Sequence, residues 1–326
     1  MSITLFDRRT ILAAAGASLL ATGAAKAAFP DKPIRLLVPF APGGGTDIAA
    51  RFIGEKLGQA FNQQVIIDNR PGANGAIAGE AAAKAAPDGY TLLVATAAGF
   101  ASAPALGQKL PYDVEKDFVP VAMLGHFPLV LNAAPSLPVK TIAEFLAHAK
   151  ANAGKLNYAS AGVGSTNHLV FEMIAQRTGL SLTHVPYRGA ALAATDLMSG
   201  QMHVMIDSMA ASLSNIQAKN LTALAVTTAK RQPQLPDVPT LSESGIDLVY
   251  PGWASIVAPA GTPEPVVQQL SAALNGLLAN PEVKARYQQL IIEPVAMSPA
   301  ETGAFMARDR IMLTDLVKKL DIKLQQ

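Results

Sequence analysis

Two glycine-rich runs hold the residue types best suited to gripping an anion. They are Pro42-Gly43-Gly44-Gly45-Thr46-Asp47 and Gly162-Val163-Gly164-Ser165-Thr166-Asn167-His168. Each follows a short apolar run and opens an amphipathic one, so each reads as a strand-to-helix turn. The start of a helix leaves backbone N–H groups without partners, at the positive end of the helix dipole. Glycine lets a ligand come close to that backbone. One such loop is a generic anion nest. Two of them, in separate halves of the chain, point to two α/β lobes closing on one small anion.

Gly43, Gly44 and Thr46 are expected to present N–H groups to the anion. The alternative is a plain turn in which Thr46 or Asp47 caps the helix. Asp47 is a candidate contact, although its own charge would repel an anion. Gly164, Ser165, Thr166 and His168 form the matching set, with ordinary capping by Ser165 or Thr166 as the alternative. His168 can donate a hydrogen bond, or pair with an anion when charged, or be purely structural. Thr96, Ala97 and Ala98 end a predicted strand and would line the pocket floor through backbone and water. Asp207 ends another strand. It would accept a hydrogen bond from a ligand amine or hydroxyl, or cap the helix near Ser212. Phe40 would cover an apolar part of the ligand or pack in the core. Arg188 could pair with a carboxylate, but it sits in a turn, where arginine is usually solvated.

Other chemistries find little support. The chain has no cysteine, which excludes disulfides, thiolate metal sites and a cysteine nucleophile. It has no Gly-x-Ser-x-Gly elbow. Its five histidines show no metal-ligand spacing. Gly43-Gly44-Gly45-Thr46 lacks the lysine of a phosphate-binding P-loop, and Asn167 stands where a dinucleotide fingerprint needs glycine or alanine. Nothing in the sequence pairs a nucleophile with a base. No metal or cofactor is implied.

The elements that must position these residues alternate along the chain. Ile34–Phe40, Gln64–Asp68 and Tyr90–Thr96 read as strands. Between them lie a helical face at Ile48, Phe52, Leu57 and Phe61 and an alanine-rich helix, Ala76–Ala86. This βαβαβ order implies a parallel sheet with helices on its faces. Ligands of such sheets sit beyond the carboxyl ends of the strands, where these loops fall. Ala97-Ala98-Gly99-Phe100 reads as a small-residue loop. A second set of strands is expected at Leu156–Ser160, Leu182–Pro186, Met202–Ile206 and Leu221–Thr227. The tail returns to strand at Trp253–Ala258. Thr262-Pro263 reads as a helix start, and Ser298-Pro299-Ala300-Glu301 as a capping box.

The first residues read as an export signal: Arg8-Arg9, an apolar stretch from Ile11 to Ala24, then Ala25-Lys26-Ala27. The stretch is too short to span a bilayer, and Asp7-Arg8-Arg9-Thr10-Ile11-Leu12 is similar to a twin-arginine signal. The mature chain is expected to begin near Ala28. The formal charge of +2 vanishes once Asp7, Arg8, Arg9 and Lys26 are set aside, so nothing marks a nucleic-acid footprint. A chain of 326 residues suits two lobes. The expected division is a signal peptide at 1–27, a first lobe of 28–126 plus 226–326, and a second lobe of 127–225. The chain would cross between lobes near 124–130 and near 222–228, which makes a hinge.

Several motifs together resemble one family. Ile34-Arg35-Leu36-Leu37-Val38-Pro39-Phe40-Ala41-Pro42-Gly43-Gly44 with Asp47, Asp68-Asn69-Arg70-Pro71-Gly72-Ala73, and Pro87-Asp88-Gly89-Tyr90-Thr91-Leu92 come first. Gly162-Val163-Gly164-Ser165 with His168, Tyr187-Arg188-Gly189, and Pro239-Thr240-Leu241 follow. In this order they are similar to the Bug family, the substrate-binding receptors of tripartite tricarboxylate transporters. The resemblance covers essentially the whole mature chain. It departs at Ala190-Ala191-Leu192-Ala193, where the family usually has a proline, and at His203, where it usually has an acid. It implies a type II periplasmic-binding-protein fold: two α/β lobes, a two-strand hinge, and a carboxylate held between them by backbone N–H groups and waters.

The expected function is therefore a monomeric periplasmic receptor. It would bind a small organic carboxylate and deliver it to the permease subunits of a tripartite transporter, without catalysing a reaction. The alternatives are a receptor that reports to a signalling partner, a secreted α/β hydrolase, and an oxyanion receptor.

Overall fold

The computed structural model describes residues 29–323. The expected export signal lies outside the described residues.

Two five-stranded sheets share one plan. The first has strand order β2-β1-β3-β10-β4, the second β7-β6-β8-β5-β9. In the first sheet β1 (Ile34–Val38) runs parallel to β2 (Val65–Asn69) and β3 (Thr91–Thr96). In the second, β6 (Asn157–Ser160) runs parallel to β7 (Thr183–Pro186) and β8 (Val204–Ser208). The expected parallel sheet is thus realised over three strands of each half. A fourth strand breaks it. β10 (Gly252–Pro259) lies antiparallel between β3 and β4 (Phe118–Phe127). β5 (Leu129–Ala133) lies antiparallel between β8 and β9 (Thr222–Val226). Each reversed strand is the one that enters from the other sheet, so the crossing fixes its direction.

That crossing explains where a site can form. β4 is parallel to β3, so it ends at the same border as β1 and β3. Pro128 alone separates the last residue of β4, Phe127, from the first residue of β5, Leu129. Leu129 pairs with Ser208 at the carboxyl end of β8. A one-residue link therefore brings the carboxyl ends of both parallel sets together. The return passage is pinned beside it: Thr227 N–H donates to the Leu129 carbonyl at 3.0 Å, and Tyr250 N–H to the Thr227 carbonyl at 2.8 Å.

Helices cover the sheets with apolar faces. Ala49, Ala50, Ile53 and Leu57 of the helix Gly45–Phe61 pack under Ile34, Leu36 and Val38. The tail joins the same core through Val267, Leu270 and Leu274. Three local expectations are corrected. Ala98–Ser102 is a π-helical turn running into the helical turn Ala103–Ala105, because Phe100 swings inward against Tyr112 and Phe118. Thr262 does not cap the next helix: its hydroxyl donates back to the Pro259 carbonyl at 2.7 Å, and the cap position falls on Pro263. The alanine-rich helix stops at Ala83. The capping box at Ser298 and Glu301 forms as expected.

Candidate functional site

The first glycine loop leads from β1 into the helix Gly45–Phe61, whose N-cap position is Gly44 with no side-chain cap. Thr46 and Asp47 therefore do not cap it. Asp47 is 1% exposed and works inside the loop. Its Oδ2 accepts from Gly43 N–H at 2.9 Å and Arg51 Nε at 2.9 Å, and its Oδ1 accepts from Asn69 Nδ2 at 2.7 Å. Burial opposes its charge, but the bonds from Arg51, Gly43 and Asn69 together hold the carboxyl below its ordinary range. Asn69 also donates to the Phe40 carbonyl at 3.0 Å and accepts from Arg51 at 2.7 Å. The Gly43 N–H is thus committed to Asp47. The N–H groups of Gly44, Gly45, Thr46 and Asp47 have no backbone acceptor among the described residues.

The second loop leads from β6 into the helix Thr166–Thr178, capped by the Ser165 hydroxyl, which accepts from His168 N–H at 3.3 Å. Here too the central glycine N–H is committed: Gly164 donates to His168 Nδ1 at 3.0 Å. An accepting Nδ1 places the ring proton of neutral His168 on Nε2. His168 is 5% exposed. Its ring lies parallel to that of His184, with centroids 3.9 Å apart, and the Tyr158 ring lies beside the pair, 4.8 Å from His184 and 6.2 Å from His168. Burial pushes both histidines down to about 4, and the neighbouring His184 adds to this for His168. The N–H groups of Thr166 and Asn167 have no backbone acceptor among the described residues.

The remaining candidates fall around these loops. Thr96 and Ala97 are buried at the end of β3, and Ala98 is half-buried. Beneath Thr96, Asn74 and Gly99 lies a cavity of about 10 Å³, close to the room one water needs. Asp207 is buried at the end of β8, next to Asn167. It does not cap the helix Met209–Gln217 that carries Ser212: the cap position is Ser208, with no side-chain cap. Phe40 is 37% exposed, which excludes core packing for it. Arg188 is exposed. An open groove of about 790 Å³ runs beside β2, lined by Gly54, Gly58, Asn62 and Ile66. None of the expected site residues lines it.

Sequence reasoning missed several supports. Arg51 and Asn69 brace the first loop, and the Asp47–Arg51 spacing of four residues in a helix was the available signal. Leu106 approaches the second loop from the first sheet's side: a Cβ built on Gly164 would lie 2.1 Å from its Cδ1. Ser160 and His184 are close after all, with Oγ 2.7 Å from Nε2. Ser160 is fully buried and its hydroxyl also sits 3.1 Å from both the N and O of Gly162. Through these contacts the pair buttresses the loop.

A family model described as "Tripartite tricarboxylate transporter family receptor" matches residues 49–322. The protein BugT of Bordetella pertussis is 36% identical over 299 residues, which is 91% of this chain and 92% of BugT. Among solved structures, Rpa4515 of R. palustris with adipate superposes with a TM-score of 0.81 at 33% identity, covering 91% of this chain and 100% of that one. MatC of Rhodopseudomonas palustris with bound malate gives 0.75 at 32% identity, covering 89% and 100%. The fold is the two-lobed α/β fold of periplasmic binding proteins.

Proposed function

This chain belongs to the tripartite tricarboxylate transporter receptor family, and on that premise we propose that it captures a small organic carboxylate between two lobes and delivers it to the membrane permease subunits of such a transporter. It acts in the periplasm after removal of residues 1–27, as a monomer and without turnover. The first lobe comprises 28–126 with 226–326, and the second 127–225.

One observation carries this reading. Two helix starts with uncommitted N–H groups stand at strand ends that a one-residue link brings together. Each is an anion site by dipole and by donors. The N–H groups of Gly44 and Thr46 take one side of the ligand, and the Ser165 hydroxyl and the Thr166 N–H the other. His168 adds its Nε2–H. Thr96, Ala97 and Ala98 form the floor, and Phe40 covers apolar atoms. Gly43, Gly164 and Asp47 shape the loops. A ligand that touches both loops favours the closed arrangement by its difference in affinity for the two states. The acids in the two related structures support a carboxylate.

A thermal-shift panel tests this. It holds aliphatic and aromatic mono-, di- and tricarboxylates, acidic amino acids, phosphate, sulfate and sugars. A ligand at 100 times its Kd adds about 2.7 kcal/mol of stability. The expected result is a shift confined to a few related carboxylates. Stabilisation by phosphate or sulfate alone contradicts the reading.

A further inference from the structure

Asp207 is the one group near the second loop whose chemistry conflicts with an anionic ligand. It is 7% exposed. Its Oδ1 accepts from Ser208 N–H at 2.7 Å and from Asn167 Nδ2 at 3.4 Å. Its Oδ2 takes no hydrogen bond from any described residue and is not fully enclosed. No lysine or arginine of the described residues pairs with it.

Its place in the fold aims it at the site. Asp207 pairs with Val130, two residues past the link between sheets, and Met209 N–H donates to the carbonyl of Pro128, the link itself, at 2.9 Å. Asn167 ties it to the loop: the same amide also donates to the Ile206 carbonyl at 2.5 Å. Burial pushes the carboxyl up to about 6, against the pull of Ser208 and Asn167. It is still mostly ionised at neutral pH.

A buried charge with an open oxygen needs a donor. A bare carboxylate seated in the loop offers only a second negative charge. A hydroxyl or ammonium next to that carboxylate offers a donor. Resting on the carboxylate reading above, we propose that the ligand is a hydroxy- or amino-substituted carboxylate, whose O–H or N–H donates to Asp207 Oδ2. Sites built to bond a polar substituent discriminate strongly against analogues that lack it, because their own polar group is left unpaired.

Calorimetric titration of the purified protein tests this with matched sets: succinate, malate and aspartate; glutarate, 2-hydroxyglutarate and glutamate; propionate, lactate and alanine. In the set that fits by length, the substituted acid should bind at least about 10-fold more tightly than the bare one. The hydroxyl and ammonium arms identify the donor. In Asp207→Asn the preference should fall severalfold, with the bare acid gaining. Equal affinity for bare and substituted acids in the wild-type protein overturns the inference and leaves the carboxylate reading standing. Binding by no carboxylate overturns both.

Discussion

Asp47 and His168 hold equivalent positions in the two glycine loops. Each follows a left-handed glycine by four residues and accepts that glycine's N–H through its side chain, at 2.9 Å from Gly43 and 3.0 Å from Gly164. The cap residues between them have nearly the same backbone angles, φ −78° and ψ 162° at Gly44 and φ −63° and ψ 157° at Ser165. One geometry is thus built twice with different chemistry. The first copy uses an ionised carboxylate, the second a neutral imidazole.

Replacing Asp47 by alanine should destabilise the protein by about 0.5–1.5 kcal/mol, because the Gly43 and Asn69 donors lose their carboxylate acceptor and water replaces it only in part. Arg51, half-exposed, can turn to water and adds little. Urea denaturation reads the stability, and titration with the carboxylate found in the panel should show at least about 10-fold weaker binding. Unchanged stability would mean that the carboxylate does not hold the loop.

His168 and His184 make stability depend on pH. Both are held at about 4 when folded, mainly by burial, against about 6.5 when unfolded. As pH falls from 6.5 to 4 the unfolded chain takes up protons that the folded one refuses, so stability present above 6.5 is lost across that window. Asp207, raised to about 6, acts in the opposite sense, so the comparison is between wild type and His168→Asn. Asparagine can keep the acceptor for Gly164 without titrating. The wild-type protein should lose more stability across the window, by up to about 3 kcal/mol. Parallel curves would show that His168 is not held neutral.

Leu106 and Gly164 couple the two halves by shape. A side chain at Gly164 meets Leu106 Cδ1 and also a φ of +77°. Gly164→Ala should weaken ligand binding and cost about 1–2 kcal/mol through the backbone. Adding Leu106→Ala relieves the contact and leaves the backbone cost. Leu106→Ala alone should speed ligand release, read by stopped-flow fluorescence of the single tryptophan, Trp253. A release rate equal to wild type would show that this contact does not serve binding.

Asp309 secures the return passage. Its Oδ2 accepts from Trp253 Nε1 at 2.6 Å and Tyr250 O–H at 3.2 Å. Asp309→Ala leaves two buried donors unpaired and should cost about 2–4 kcal/mol in urea denaturation. A cost below about 0.5 kcal/mol would show that water replaces the carboxylate.

Most strands and both loops were legible, because apolar runs bounded by glycine and proline are local signals. The antiparallel entry of β5 and β10 was not, since the passage between sheets sets their direction and their own residues do not. Ala97-Ala98-Gly99-Phe100 looked like a loop because its residues are small; the inward pull on Phe100 comes from Tyr112 and Phe118, which are distant in sequence. The glycines themselves were found, but Gly43 and Gly164 were expected to offer N–H groups that Asp47 and His168 take. The four-residue spacing was visible, yet only side-chain direction decides between capping, contact and bracing.

The most direct test of capture between two loops is amide hydrogen exchange, followed by NMR with and without the carboxylate that gives the largest thermal shift. The account predicts slowed exchange at Gly44, Gly45 and Thr46 and, in the same titration, at Thr166 and Asn167. Protection at one loop only, or at neither, would contradict it.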